Sequence, residues 1–493
     1  HSMYRREEES DIVRQGAVMK VLYVTSEAAP YAASGGLGDV MGALPREIAN
    51  DGADVSVILP LYGSMKENFR REMKKYADIS FNLAWRKTGA SVFLIENSGV
   101  KYYFLENHYY FSRQKLYGEP DDGERFAFFC RAVVEFMLQT GNIPDILHAN
   151  DWQAAMSVVY IKTEYSQIRE LQKIRTVYTI HNIEYQGKFP TYILGDVFGL
   201  DAKYFGVVEY DGCINLMKGA LTVSDYITTV SPNYATELRY DYFAFGLAGI
   251  INSVSGKMTG VINGIDYSYF SPEHGGDIDF PYGRNNLIDG KRQNKLALQR
   301  ELGLPQNEDI PLIVMITRLA GAKGIDLVLR VLDELLFSTE VQFVILGTGE
   351  AEYENALRTI ESNHPTKMRA LIKFDRVTSK KMYAAADLFL RPSKSEPCGL
   401  SQMICCSYGT LPVVHGVGGL ADSIKNYGEE GANGFVFADY NAHEMLFLIK
   451  RALDLYKDKD EWKKLVEAAY ASDFSWHKSA GKYMEIYENL INW

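Results

Sequence analysis

The segment Met19–Leu59, MKVLYVTSEAAPYAASGGLGDVMGALPREIANDGADVSVIL, holds one complete structural unit. Val21–Thr25 is apolar and β-branched and reads as a strand. Tyr31–Gly38 is a loop of small residues, after which Leu37, Val40, Leu44 and Ile48 recur three or four apart on one helical face. Asn50-Asp51-Gly52 then turns the chain into a second strand, Val55–Leu59. A strand, a crossover helix and a further strand form the repeating piece of a parallel α/β sheet.

The alternation continues outward from this unit. Strands are expected at Asp145–His148, Thr176–Ile180 and Ile227–Val230, each ending in a polar loop. A second series follows: Leu312–Thr317, an amphipathic helix marked by Ile325, Val328, Leu329, Leu332 and Leu336, then Val341–Leu346, Leu388–Leu390 and Pro412–Val414. Between the series, Phe270–Asn294 is rich in Gly, Pro, Asn and Asp and reads as a linker. Two α/β domains are therefore expected, with ligand at the carboxyl ends of strands and in a cleft between domains.

Composition bounds the function. A chain of 493 residues accommodates two to four domains, each able to bury a core. Its 52 Lys+Arg against 63 Asp+Glu give a net charge of −11, which excludes the broadly basic surface of a nucleic-acid binder. Five cysteines without a CxxC pair provide neither a disulfide framework nor a structural zinc site, and a reducing cytoplasm is the expected compartment. No apolar run reaches the length of a membrane helix. Residues 1–18 are charged and lack a signal-peptide core, so they are expected to be a tag remnant or disordered extension.

Several features carry chemistry. Gly35-Gly36-Leu37-Gly38-Asp39 is echoed by Gly418-Gly419-Leu420-Ala421-Asp422 in the second half. Both precede helical patterns, where backbone N–H groups can face an anion, although a tight turn serving packing alone has the same sequence. Arg318 and Lys323 follow a strand end across a Gly-containing loop. Cations at a helix start are locally unfavourable, which points to a bound anion there. Glu396 lies in Ser395-Glu396-Pro397-Cys398-Gly399, between a strand and a helix starting near Leu400; an isolated Glu there also serves as a helix-start anion. Residues 102–129 contain ten aromatic residues, a surface for sugar faces or simply core, with Arg113 and Asp122 as polar neighbours for sugar hydroxyls. Asp277-Ile278-Asp279 and Asp458-Lys459-Asp460 match a short metal-binding pattern, but each lies in a linker or polar helix, and no metal is expected.

Taken together, ten segments resemble the bacterial glycogen synthase and plant starch synthase family. They are SEAAPYAASGGLGDV (Ser26–Val40), ILPLYG (Ile58–Gly63), HANDWQ (His148–Gln153), TIHNIEYQG (Thr179–Gly187) and VSPNYATEL (Val230–Leu238). The rest are VINGID (Val261–Asp266), TRLAGAKGIDL (Thr317–Leu327), SKSEPCGLSQ (Ser393–Gln402), HGVGGLAD (His415–Asp422) and FSWHKSAGKY (Phe474–Tyr483), all in family order. The resemblance implies two Rossmann-like domains facing each other across a cleft (the GT-B fold). Residues 1–18 would be an extension, 19–260 the acceptor-side domain, 261–473 the nucleotide-sugar domain, and 474–493 a helix returning to the first domain. It further implies a retaining transferase that moves glucose from ADP-glucose to the nonreducing end of an α-1,4-glucan such as glycogen, starch or a maltooligosaccharide. No cofactor, nucleic acid or membrane partner is implied. The location would be the cytoplasm, or a plastid if the source is a plant or alga.

Site roles follow by resemblance. Arg318 and Lys323 would hold the donor diphosphate, and Glu396 the hydroxyls of the donor glucose. His181 and Asp151 would lie near the transferred glucose, and Asn263 in the sugar pocket. The Gly399 and Leu400 amides with Ser401 would meet phosphate oxygens, and Phe374 would stack on the base. Gly35 and Gly36 belong to the glycine loop, which Asp39 would order unless it meets the glucan, while Cys398 reads as a small buried residue rather than a nucleophile. One departure stands out: the family loop is typically Lys-Thr-Gly-Gly-Leu, and Ala33-Ser34-Gly35-Gly36-Leu37 replaces it, removing a cation. A UDP-sugar transferase, a phosphorylase with a pyridoxal-linked lysine, or a catalytically impaired glucan-binding homologue remain alternatives.

Overall fold

Segments rich in Val, Leu and Ile form strands buried on both faces, and these are the centres of two parallel sheets. The computed structural model describes residues 17–274 and 276–492. Residues 1–16, most of the expected extension, lie outside the described residues. The chain divides into two compact units, one comprising residues 17–230, 238–261 and 479–492, the other 231–237 and 262–478.

The first unit is built on β1 (Lys20–Val24), β2 (Asp54–Pro60), β3 (Lys74–Leu83), β4 (Arg86–Asn97), β5 (Val100–Glu106), β6 (Ile146–Asn150), β7 (Arg175–Ile180), β8 (Tyr226–Thr229) and β9 (Met258–Gly260). Their order is β9-β8-β7-β6-β1-β2-β5-β4-β3. The sequence reverses direction between β1 and β6, which pair in parallel. Helix α1 (Gly36–Asn50) buries Leu37, Val40, Met41, Leu44 and Ile48 against the sheet, as its periodicity dictates. Strands β3 and β4 form an antiparallel hairpin that sequence reading did not place. The second half of β3 alternates buried with exposed residues, the pattern of a strand with one solvated face.

Most of the aromatic cluster is core. Tyr102, Tyr103, Phe104, Tyr110 and Phe111 are buried, and so are Phe126, Phe128 and Phe129 of α2 (Asp122–Thr140). Arg113 and Asp122 are likewise occupied within the protein. Arg113 is held by both carboxylate oxygens of Asp121 at 2.5 and 2.8 Å, and Asp122 accepts from buried Arg125 at 2.8 Å.

The second unit contains β10 (Leu312–Ile316), β11 (Gln342–Leu346), β12 (Met368–Leu371), β13 (Leu388–Arg391), β14 (Leu411–His415) and β15 (Phe435–Phe437). Their order, β12-β11-β10-β13-β14-β15, is the 3-2-1-4-5-6 arrangement of the dinucleotide-binding fold. The expected linker is part of this unit rather than free chain. Leu287–Glu301 forms helix α5, and buried Tyr282 packs on its Gly290 and donates its hydroxyl to the Tyr408 carbonyl at 2.6 Å. Asp277 pairs with Lys380 at 3.0 Å, and Asp458 caps a helix by accepting from the Glu461 amide.

Candidate active site

The strand ends of the second unit converge at the switch point between β10 and β13. Leaving β10, the chain passes Arg318 and reaches Lys323, where Gly324 takes a left-handed φ of +79°. A Cβ on Gly324 would lie 2.1 Å from the Pro392 carbonyl oxygen, so only glycine lets this loop meet the one after β13. The Lys394 amide ties the two loops together by donating to the Ala322 carbonyl at 2.9 Å.

The contact places Lys323 on Glu396. Oε2 of Glu396 accepts from Lys323 Nζ at 2.9 Å, from an Arg391 guanidinium nitrogen at 3.0 Å and from Ser393 Oγ at 3.1 Å. Among the described residues no protein donor reaches Oε1. Burial by itself would raise the Glu396 carboxyl, but the charges of Arg391 and Lys323 outweigh it and hold the pKa down to about 2. Burial lowers the Lys323 pKa, with Glu396 opposing and Arg391 and Arg318 adding to the fall. Arg318 is exposed, and no ion pair forms on it among the described residues.

The Glu396 loop is braced from two further elements. Gly418, at the start of α7 (Gly418–Ser423), has φ +47°, and a Cβ there would lie 1.7 Å from the Glu396 carbonyl oxygen. The Gly419 amide donates to the carbonyls of Glu396 and Pro397, both at 3.1 Å. On the other side, α4 (Pro232–Glu237) presents Glu237, whose two oxygens each lie 3.1 Å from the Gly418 amide, while Ser231 Oγ donates to the Pro397 carbonyl at 2.7 Å. Burial raises the Glu237 pKa to about 7.

Around this centre, Cys398 is buried and its thiol is pushed up to about 12, which disqualifies it as a nucleophile at neutral pH. Gly399 turns the chain with φ +74°, and Leu400 leads into α6 (Ser401–Ser407). Ser401 Oγ and Asn263 Oδ1 are buried polar atoms without a protein partner among the described residues. Phe374 stands 82% exposed after β12.

In the first unit, the strand ends carry a separate polar cluster. Glu27 is buried after β1, and accepts from the Ser34 amide and hydroxyl and from the Tyr117 hydroxyl. Asp151 opens α3 (Asp151–Lys162) at φ +58°, a conformation that costs a non-glycine residue on the order of 1–3 kcal/mol. Its Oδ1 accepts the His181 amide at 2.8 Å, and His181 Nε2 meets Asn150 Oδ1 at 2.9 Å. Burial raises Asp151 to about 7, against the His181 and Asn182 amides and with the charge of Glu27 adding to the rise. Burial lowers His181 to about 3, so its imidazole is neutral.

The two glycine loops differ. Gly35 and Gly36 have nothing within 4 Å of an added Cβ, whereas Gly418 and Gly419 are packed on backbone. The first copy leaves open space at the start of α1, beside exposed Asp39, and the second is a packing device. Sequence reading missed Arg391, Ser393, Glu237 and Glu27, and placed Tyr117 only among the aromatic residues of 102–129. Arg391 gave one signal, a charge ending the apolar run Leu388–Leu390.

Residues 20–253 match the family model described as the starch synthase catalytic domain, and residues 300–471 match glycosyl transferases group 1. The fold is thus that of a glycosyltransferase. The chain is 45% identical over 478 residues to a glycogen synthase of Bacillus licheniformis, covering 96% of this chain and 98% of the relative. It is 43% identical over 477 residues to one of Geobacillus thermodenitrificans, with the same coverage. The catalytic domain of starch synthase IV from Arabidopsis thaliana, solved with ADP and acarbose, superposes with a TM-score of 0.87 at 32% identity, covering 97% of this chain and 100% of that one. The chain belongs to the glycogen synthase and starch synthase family and is a glucosyltransferase.

Proposed function

We propose that this chain transfers glucose from ADP-glucose to the nonreducing 4-hydroxyl of an α-1,4-glucan with retention of configuration. The observation that carries this reading is the Glu396 carboxylate. Three donors converge on Oε2 and fix the group in its ionised form, while Oε1 is left to accept hydrogen bonds from the donor glucose. Lys323 and exposed Arg318 supply fixed cations for the departing diphosphate, where developing charge most needs them. Ser401 Oγ and the neighbouring Gly399 and Leu400 amides serve phosphate oxygens, Asn263 Oδ1 a sugar hydroxyl, and Phe374 the base. His181 and Asp151 serve the transferred glucose, His181 as a neutral hydrogen-bonding group.

No side chain is placed as a covalent nucleophile in this scheme. Retention follows from departure and attack on one face, with the diphosphate helping to deprotonate the acceptor hydroxyl. The ADP in the Arabidopsis relative supports the choice of nucleotide, and the Gly35-Gly36 opening supports donor approach near α1. Ala33 withholds the family's lysine there, and the loss of one charge-assisted contact weakens donor binding by about 1.5–3 kcal/mol unless Arg318 and Lys323 offset it.

Incubating the purified chain with glycogen and either ADP-glucose or UDP-glucose tests the reading. Release of ADP with chain extension, and a much slower reaction with UDP-glucose, is the expected result. Preference for UDP-glucose would overturn the donor assignment, and no turnover with either would overturn the transferase reading in favour of a glucan-binding homologue.

A further inference from the structure

Strand β13 ends in a charge that its position in the core does not call for. Leu388–Leu390 is a buried apolar run on a central strand of the second sheet, and Arg391 continues it at 8% exposure. A buried ion pair is seldom a net stabiliser, so an apolar residue would serve the core here as well or better. The guanidinium is also incompletely satisfied. One terminal nitrogen donates to Glu396 Oε2 at 3.0 Å and the other to the Ile316 carbonyl at 3.2 Å, while Nε is buried without a partner among the described residues. An unpaired buried donor costs stability, and the molecule bears that cost where it sets a second cation on one carboxylate oxygen.

The first cation on that oxygen is Lys323, at 2.9 Å. Among the described residues its ammonium makes that one hydrogen bond, so the rest of its N–H groups remain for a ligand. A lysine that alone neutralised Glu396 could not turn to another anion without leaving a buried carboxylate unpaired. With Arg391 and Ser393 Oγ on the same oxygen, it can. The other groups around the loop do not substitute for Arg391. Glu237 of α4 and Asp422 of α7 are acidic and accept the Gly418 and Asn233 amides, His415 of β14 lies on the Ser393 carbonyl at 2.7 Å, and Arg318 is exposed.

We propose that Arg391 is a positioning residue for glucosyl transfer: it keeps the Glu396 carboxylate charged and in place, which releases Lys323 to meet the charge growing on the departing diphosphate. This deepens the donor-site reading above and rests on it for the roles of Glu396 and Lys323. Loss of Arg391 then has a signature that lost packing lacks. Burial raises the Glu396 carboxyl, and with Arg391 gone Lys323 is the one cation left to oppose it, so Glu396 takes up a proton as pH falls.

The test is kcat and KM for ADP-glucose with glycogen at about pH 5 and about pH 8, for the wild type, Arg391→Met and Arg391→Lys, with urea unfolding in parallel. Arg391→Met is expected to lose about tenfold in kcat at the higher pH with less than about threefold change in KM, because the diphosphate charge grows in the transition state. At the lower pH it should lose about tenfold more, and Arg391→Lys should recover most of that further loss. Asp151 and Glu237 titrate near neutrality in all three proteins, so the ratio of variant to wild type isolates Glu396. A kcat for Arg391→Met equal to that of the wild type at both pH values would overturn the proposal, and so would a loss that is the same at both and unrelieved by lysine. If the wild type turns over neither nucleotide-sugar, the transferase reading fails and unfolding still decides the role of Arg391. Arg391→Met should lower the urea midpoint of the wild type but not that of Glu396→Gln, and equal loss in the two backgrounds would overturn the proposal. The same comparison decides if Arg391→Met by itself does not fold: the double variant with Glu396→Gln should fold, and its failure would overturn the proposal.

Discussion

At the scale of single residues, buried titratable groups set the response to pH, and their signs differ. Burial lowers His148 and His181 to about 3. Each binds a proton more weakly when folded, so its stabilising share is complete above the ordinary value of 6.5 and is lost as pH falls toward about 3. Asp151 behaves oppositely. Its pKa is raised from 3.8 to about 7, so the folded state holds the proton more tightly and ionisation erodes stability as pH rises through that window. Asp151→Asn is therefore expected to gain on the wild type between about pH 4 and about pH 7, by at most about 1.4 kcal/mol per pH unit. Urea unfolding across that range measures it, and a difference independent of pH would contradict the assignment. Lys323 and Glu396 were legible in sequence because they sit in motif loops. Arg391 was not: a buried strand-end cation becomes meaningful only once the fold brings Glu396 to it.

At the scale of elements, one sequence pattern serves two purposes. Gly418→Ala would press a methyl group on the Glu396 carbonyl oxygen at 1.7 Å and add strain at φ +47°. A cost of about 2 kcal/mol or more is expected, with loss of transfer. Gly35→Ala meets open space with an extended backbone, so its unfolding midpoint should match the wild type while KM for the donor rises. Denaturant titration with donor kinetics separates the two, and equal destabilisation would refute the distinction. The echo was visible in sequence, but its asymmetry was not, because what a glycine lacks matters only against its neighbours. The central strands were legible from their apolar runs. The β3–β4 hairpin was missed because the strand pattern sought was continuous burial, and only a solvated-face alternation marks β3. The Gly/Pro-rich stretch before Leu287 misled, since Tyr282 fixes it by packing.

At the scale of the whole molecule, half of the described tyrosines are buried, where they build core and hydrogen-bond chains. In α8 (Trp476–Ile491), the Tyr487 hydroxyl lies 2.9 Å from that of Tyr23 in β1 and 2.6 Å from His148 Nδ1 in β6. His148 Nε2 meets Thr179 at 2.5 Å, and Thr179 meets Thr228 at 2.5 Å, so one buried chain runs from the C-terminal helix across the first sheet. Tyr487→Phe leaves two buried groups short of a partner and is expected to cost about 1–3 kcal/mol in unfolding free energy. A variant as stable as the wild type would show that the chain carries no net stabilisation. Against the net charge of −11, the cations Arg318, Lys323 and Arg391 gather at one strand switch point, where the proposed anionic donor would lie. The most direct test of the account is glucosyl transfer from ADP-glucose to glycogen by the wild type and Glu396→Gln, with glycogen binding recorded in parallel. The wild type should release ADP and extend the chain, and Glu396→Gln should lose about a hundredfold or more in kcat while still binding glycogen. Equal turnover by the two would contradict the account.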